Sequence, residues 1–239
     1  MRNIATISKR ELASYFNSPM AYIVMCAFLL VSGWMFFSQL FLNERADMRL
    51  FFSPSPFSPS LLLVIFIPAI SMRLIAEERK NKTIELLTTM PVKDSEVIVG
   101  KFLGALFLVL AALAATLIYA ITVWILGPLD WGPVLCGYLG MALFAGAILS
   151  IGIFASTLTD NQIVAFIIGL IICGALYYIY WLQFLLPGLL APIVEYISIS
   201  SHLANLARGV IDTRDILYYL TVAVMGLFLA SLSLSRQHA

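Results

Sequence analysis

Residues 76–101 read AEERKNKTIELLTTMPVKDSEVIVGK, and they hold 10 of the chain's 27 Asp, Glu, Lys and Arg residues in about a tenth of its length. Long apolar runs lie on both sides. The whole chain has 239 residues, 62% of them hydrophobic and 11% charged, and its mean hydropathy is +0.98. Soluble domains carry about 25% charged residues. A chain this poor in polar groups cannot cover a soluble globule and reads as an all-α integral membrane protein.

Crossing a bilayer takes about 20 apolar residues of helix. Six runs come near that length: 20–42, 60–76, 98–126, 133–157, 162–186 and 215–235. Backbone groups in hydrocarbon must bond internally, so each is expected to be helical. The first run is longer than the ~7–15-residue core of a cleavable signal and predicts a permanent anchor. The second is short and holds Pro68, which predicts a kink and a helix continuing past Arg73.

With six spans, both termini share a side with the 77–97 and 158–161 connections. Ten basic residues fall there: Arg2, Lys9, Arg10, Arg73, Arg79, Lys80, Lys82, Lys93, Lys101 and Arg236. Four fall on the other side: Arg45, Arg49, Arg208 and Arg214. The positive-inside rule makes both termini cytoplasmic, and the opening stretch with them.

The connections carry their own signals. In 3–18, Ile4, Ile7, Leu12, Tyr15 and Phe16 share an arc opposite Thr6, Arg10 and Ser14, the pattern of an amphipathic interfacial helix, which Asn17-Ser18-Pro19 ends. The connection 43–59 closes in SPSPFSPS, whose prolines at 54, 56 and 59 predict an extended, stiff linker. Segment 187–214 is too apolar for a free loop, yet Glu195, His202, Arg208 and Asp212 make it a poor span. It predicts one or two short helices lying in, or dipping into, the outer leaflet. Tyr177, Tyr178, Tyr180 and Trp181 predict an aromatic belt at the outer interface, with an aromatic ligand site as the alternative.

Several chemistries lack their residues. Net charge is +1, so no basic face for nucleic acid is implied. His202 and His238 lie far apart, and Cys26, Cys136 and Cys173 sit singly in apolar runs, so neither a zinc site nor a disulfide framework is suggested. A phosphate-binding loop needs G-x-x-x-x-G-K-[ST]; at Gly100-Lys101 the first glycine is Ser95 and Phe102 follows the lysine. The spans offer almost no ionisable carriers for a secondary transporter, and H-E-x-x-H is absent. Of Glu195 and His202, the histidine reads as an interfacial or capping residue. Nucleotide and magnesium, if used, belong to another chain.

The segment TIELLTTM, 83–90, pairs Ile84 with Leu87 and Leu86 with Met90 at helical spacing before Pro91 ends it. Two turns are unstable alone in water, so this element must dock, either on the membrane surface or against a cytoplasmic partner.

The stretch also resembles the connection between the second and third helices of ABC-2 type transporter permeases, through Glu77, Glu78, Arg79, Thr83, Ile84, Glu85, Leu86, Leu87, Pro91, Val92 and Ser95. KRELASYFNSPMAYI (9–23) and LARGVIDTRDILYYL (206–220) are similar to the gliding-motility-associated branch of that family. The resemblance implies a coupling helix at 83–90, reaching a separate ATP-binding subunit through Glu78, Arg79, Thr83, Ile84, Glu85, Leu86, Leu87, Met90 and Pro91. It also implies a second permease protomer, met through the first and fifth helices, and a bacterial inner-membrane location. The interfacial helix and the re-entrant pair before the last span are family features that patterning had already placed at 3–18 and 187–214. Expected work is export of a lipid-like or amphipathic substrate, or mechanical work on a periplasmic auxiliary protein; a secondary transporter or a non-transporting membrane scaffold is the alternative. Small residues at Gly100 and Gly104, and along Ala142, Gly146, Ser150, Gly152 and Ser156, predict close helix packing within one subunit.

Overall fold

The computed structural model describes residues 2–43, 47–55, 58–80, 93–182 and 190–236. Those residues form helices and no strand. In chain order the helices are α1 (Arg2–Phe16), α2 (Pro19–Asn43), α3 (Arg49–Phe52), α4 (Pro59–Lys80), α5 (Asp94–Ala115), α6 (Leu117–Leu126), α7 (Trp131–Thr157), α8 (Gln162–Leu182), α9 (Leu190–Ile197), α10 (Ile199–Ala207) and α11 (Thr213–Ser235). Six segments are long and apolar enough to cross a bilayer: α2, α4, α5 with α6, α7, α8 and α11. The termini, the end of α4, the start of α5 and the α7–α8 turn lie at one end, here termed the base. Helices α3, α9 and α10 lie at the other, the crown.

The third span is interrupted at Thr116, which the apolar run did not signal. Its hydroxyl donates to the Leu113 carbonyl at 2.6 Å and shares a hydrogen bond with the Tyr138 hydroxyl at 3.0 Å. A side chain thus takes up a backbone acceptor where the helical bonding is interrupted.

Helix α7 is the central pillar, packed against α4, α5, α8, α10 and α11 and buried around its circumference. A helix apolar on every face belongs at such a position. Its small residues admit neighbours: Gly137 lies under the Phe52 ring, Gly140 under Leu206, and Gly152 against Ser71 and Pro68, while Ser150 lies against Gly226 of α11. Lipid tails provide no hydrophobic force between helices, so dispersion contacts of this kind hold the bundle together. The α4–α7 seam adds hydrogen bonds. Ser156 Oγ accepts from the backbone N–H of Ile75 at 3.2 Å and of Ala76 at 3.0 Å, and donates to the Met72 carbonyl at 3.0 Å. Proline 68 lies inside α4 and leaves a carbonyl one turn earlier without its helical donor.

Two expectations change at the crown. The 43–59 connection is no simple extended spacer. Helix α3 plugs the bundle with Phe51 and Phe52, both fully buried. The Phe51 ring lies 5.5 Å from Phe36, and Phe52 lies 5.0 Å from Tyr138. Beyond it the chain turns, with Ser55 N–H donating to the Ser53 carbonyl and Ser58 N–H to that of Ser55. Tyr177 does not join an interfacial belt either. It is fully buried, its hydroxyl 3.1 Å from Ser60 Oγ and 3.3 Å from Ser58 Oγ. Tyr178, one residue on, is about half exposed. Helical periodicity places neighbouring aromatics on different faces, and the serines before α4 supply the partners that let the phenol go inside.

A Cβ at Gly152 would overlap the Ser71 hydroxyl. Gly152→Leu is therefore expected to push α4 off α7 and to destabilise the protein by about 3 kcal/mol, read as a lowered thermal midpoint in detergent, while Gly174→Leu, where a Cβ meets open space, leaves the midpoint near that of the wild type.

Candidate functional site

Residues 81–92, and with them Thr83, Ile84, Glu85, Leu86, Leu87, Met90 and Pro91, lie outside the described residues. The chain on either side of them is described, and each flank is tied to the base of the bundle. On the α4 side, Glu78 Oε1 lies 2.7 Å from Lys101 Nζ on α5. Glu11 Oε2 of α1 reaches the same ammonium at 3.5 Å. Lys101 is only 3% exposed. A lysine that deep in an apolar bundle is stable only when paired, and two carboxylates from two other helices supply the pairing. Its neighbour Arg79 donates from Nη1 to the Thr157 carbonyl at 2.7 Å, and its Nε lies 2.7 Å from Asp160 Oδ1. That guanidinium caps the end of α7, a favourable place for a cation, and fastens the end of α4 to the α7–α8 turn.

On the α5 side, Glu96 Oε2 accepts from Asn3 Nδ2 at 3.2 Å and from the Lys93 backbone N–H at 3.4 Å. The start of α5 is thereby capped and joined to α1. Helix α1 packs along α5. A Cβ on Gly100 would come within 2.8 Å of Ile7 Cβ, and one on Gly104 within 2.8 Å of Glu11 Cβ. The face on α5 carries Ile4, Ile7, Ser8 and Glu11, so it shares Ile4 and Ile7 with the apolar arc of the sequence pattern and adds Ser8 and Glu11 to them. Tyr15, one turn past Glu11 on α1, has its phenol pushed well above its ordinary value by burial and by the nearby Glu11 carboxylate.

Lys101, Glu11 and Asp160 carry this arrangement, and sequence reasoning gave them no role beyond Lys101 as a topogenic charge. The available signal was a lysine directly after a glycine, within the first turn of an apolar run.

The crown holds a second polar cluster. His202 is buried on α10, its Nδ1 2.6 Å from Asp215 Oδ1 and its Nε2 3.1 Å from the Tyr196 carbonyl. Its ring stacks on Tyr218 at 4.0 Å. One proton between Nδ1 and Oδ1 and one on Nε2 satisfy both contacts, leaving a pair without net charge. Tyr218 and Tyr219 donate to the carbonyls of Ile197 and Ile199 at 2.6 and 2.7 Å. Together these bonds fasten α9 and α10 onto α11. Ser201 Oγ donates to the carbonyls of Glu195 and Ser198 and not to His202, so no serine nucleophile is activated here. The Glu195 and Arg208 side chains are exposed. The true companion of His202 is Asp215, which the sequence places 13 residues away at the head of a span.

A family model described as ABC-2 family transporter protein matches residues 17–176, from the start of α2 into α8. The chain belongs to the ABC-2 transporter family. No curated protein matches it. As an ABC-2 permease it is the transmembrane subunit of an ABC transporter, a kind of subunit that is normally non-catalytic. Membership implies an ATP-binding partner subunit and dimerisation. The six apolar helices make it a multi-pass membrane protein. The described base of this ABC-2 permease thus consists of α1, α4 and α5, joined by one buried ammonium and flanking the 81–92 connection.

Lys101→Ala strands two carboxylates at the base. It is expected to cost about 3–5 kcal/mol, seen as a lower thermal midpoint of the purified protein. Lys101→Met combined with Glu78→Gln and Glu11→Gln, which leaves no unpaired charge, is expected to recover most of that loss.

Proposed function

We propose that residues 81–92 form the coupling element of this permease and that a separate ATP-binding subunit grips it through Thr83, Ile84, Glu85, Leu86, Leu87, Met90 and Pro91, with Glu78 and Arg79 at its edge. ATP and magnesium belong to that subunit. The observation that carries the proposal is the fastening of both flanks: Glu78 to Lys101 and Glu11, Arg79 to Asp160 and Thr157, and Glu96 to Asn3. A force on the connection is passed to α1, α4 and α5 together instead of being lost in bending one helix end.

From α4 the displacement reaches the Pro68–Ser71–Gly152–Ser156 seam on α7. There a proline-interrupted helix and a side-chain hydrogen bond give a place to pivot. The basic-residue count favours a cytoplasmic base with both termini inside, and the family resemblance favours a bacterial inner membrane. The first and fifth spans, α2 and α8, meet a second protomer, and their exposed Trp34, Leu42, Ile163 and Ile171 are the surfaces available for it. The work done is export of a lipid-like or amphipathic substrate, or a mechanical push on a periplasmic auxiliary protein, as in the gliding-motility-associated branch.

The test is co-purification with an ATP-binding subunit, which is expected to be encoded beside this chain. Wild type is expected to retain it. Leu87→Asp, which places a carboxylate in the contact, is expected to lose it while the permease still inserts and elutes as a folded species. Undiminished association of the variant overturns the proposal.

A further inference from the structure

A cavity of about 660 Å³ opens at the base between α1, α2, α4 and α5. That is an ordinary volume for a small-molecule site. Its wall has a polarity gradient. On α4 one face runs Phe66, Ile70, Arg73 and Glu77, all lining the cavity, and it passes from apolar to charged over about 16 Å of helix. A smaller crevice of about 20 Å³ shares Val24, Phe66, Ile70 and Leu108 with it and extends the apolar wall toward the middle of the bundle. Helix α1 contributes Arg10, Glu11, Ser14 and Tyr15 at the charged end. An apolar floor inside the bilayer and an ionic rim at its surface match an amphiphile, not an ion or a peptide.

The rim selects among amphiphiles. Three cations and three carboxylates line it: Arg10, Arg73 and Lys101 against Glu11, Glu77 and Glu78. Lys101 is engaged with Glu11 and Glu78. Arg73 and Glu77 are 4.0 Å apart and half exposed, a loose pair. Arg10 has no ion-pair partner among the described residues, and neither does the Tyr15 hydroxyl have a hydrogen-bond partner among them. Two guanidiniums therefore stand ready for a phosphate and one carboxylate for an ammonium, on a rim with no net charge. We infer that the cavity binds one zwitterionic phospholipid with a primary ammonium headgroup, drawn from the surrounding leaflet. Its phosphate lies on Arg73 and Arg10, its ammonium on Glu77, and its chains along Phe66 and Ile70. The inference needs only the membrane setting and stands apart from the coupling proposal.

The experiment places the full chain in nanodiscs of equal parts phosphatidylethanolamine and phosphatidylglycerol, releases it in mild detergent and counts retained lipid by native mass spectrometry. Wild type is expected to keep one phosphatidylethanolamine per chain. Arg73→Gln, a half-exposed and structurally mild change, is expected to cut that adduct about tenfold. Ala69→Trp, which fills the cavity, is expected to remove it, while Phe228→Trp on the exposed side of α11 keeps it. Absence of an adduct on the wild type, preference for phosphatidylglycerol, or an adduct undiminished in Arg73→Gln overturns the inference, whether or not Ala69→Trp folds.

Discussion

Lys101 carries one ammonium into a bundle that has almost no other buried cation among its described residues. It is almost cut off from water, so its charge must be met chiefly by protein. Glu11 and Glu78 meet it from two directions, and that requirement fixes where α1 and the end of α4 lie relative to α5. Gly100 and Gly104 are the steric half of the same arrangement: the glutamate on α1 reaches the lysine only because α1 can approach the backbone of α5. The cavity at the base, and the fastened flanks of the 81–92 connection, both follow from this one ion cluster.

The other organising constraint is the pillar helix. In water a helix is held by the apolar stripe it hides. In lipid every face is equally at home, and a central position is earned by fit. Helix α7 fits because it alternates small residues with large ones around its whole surface. Its neighbours bring matching shapes: a phenylalanine over Gly137, a leucine over Gly140, a proline turn over Gly152. Hydroxyls of Ser150 and Ser156 then add interhelical hydrogen bonds where carbonyls are within reach.

The six spans were legible because length and hydropathy alone decide whether a helix crosses a bilayer, and the runs ending at Asn43 and Thr157 needed no packing information. Positions that depend on a partner distant in sequence were not legible. Tyr177 looked like its exposed neighbour Tyr178 until Ser58 and Ser60, more than a hundred residues earlier, received its hydroxyl. Lys101 looked like one more topogenic charge, and Asp215 drew no reading at all, because burial is a property of three-dimensional neighbours. The break at Thr116 was hidden within a uniformly apolar run, since composition does not report where helical bonding is interrupted. The 83–90 motif was visible in the sequence, but its structure lies beyond the described residues.

The neutral His202–Asp215 pair has an electrical consequence. Moving one elementary charge through a membrane potential of 100 mV involves about 2.3 kcal/mol. A His–Asp unit without net charge adds no gating charge of its own if α10 and α11 shift together. A lone histidinium or a lone carboxylate in its place would have coupled any displacement of those helices across the membrane to the membrane potential.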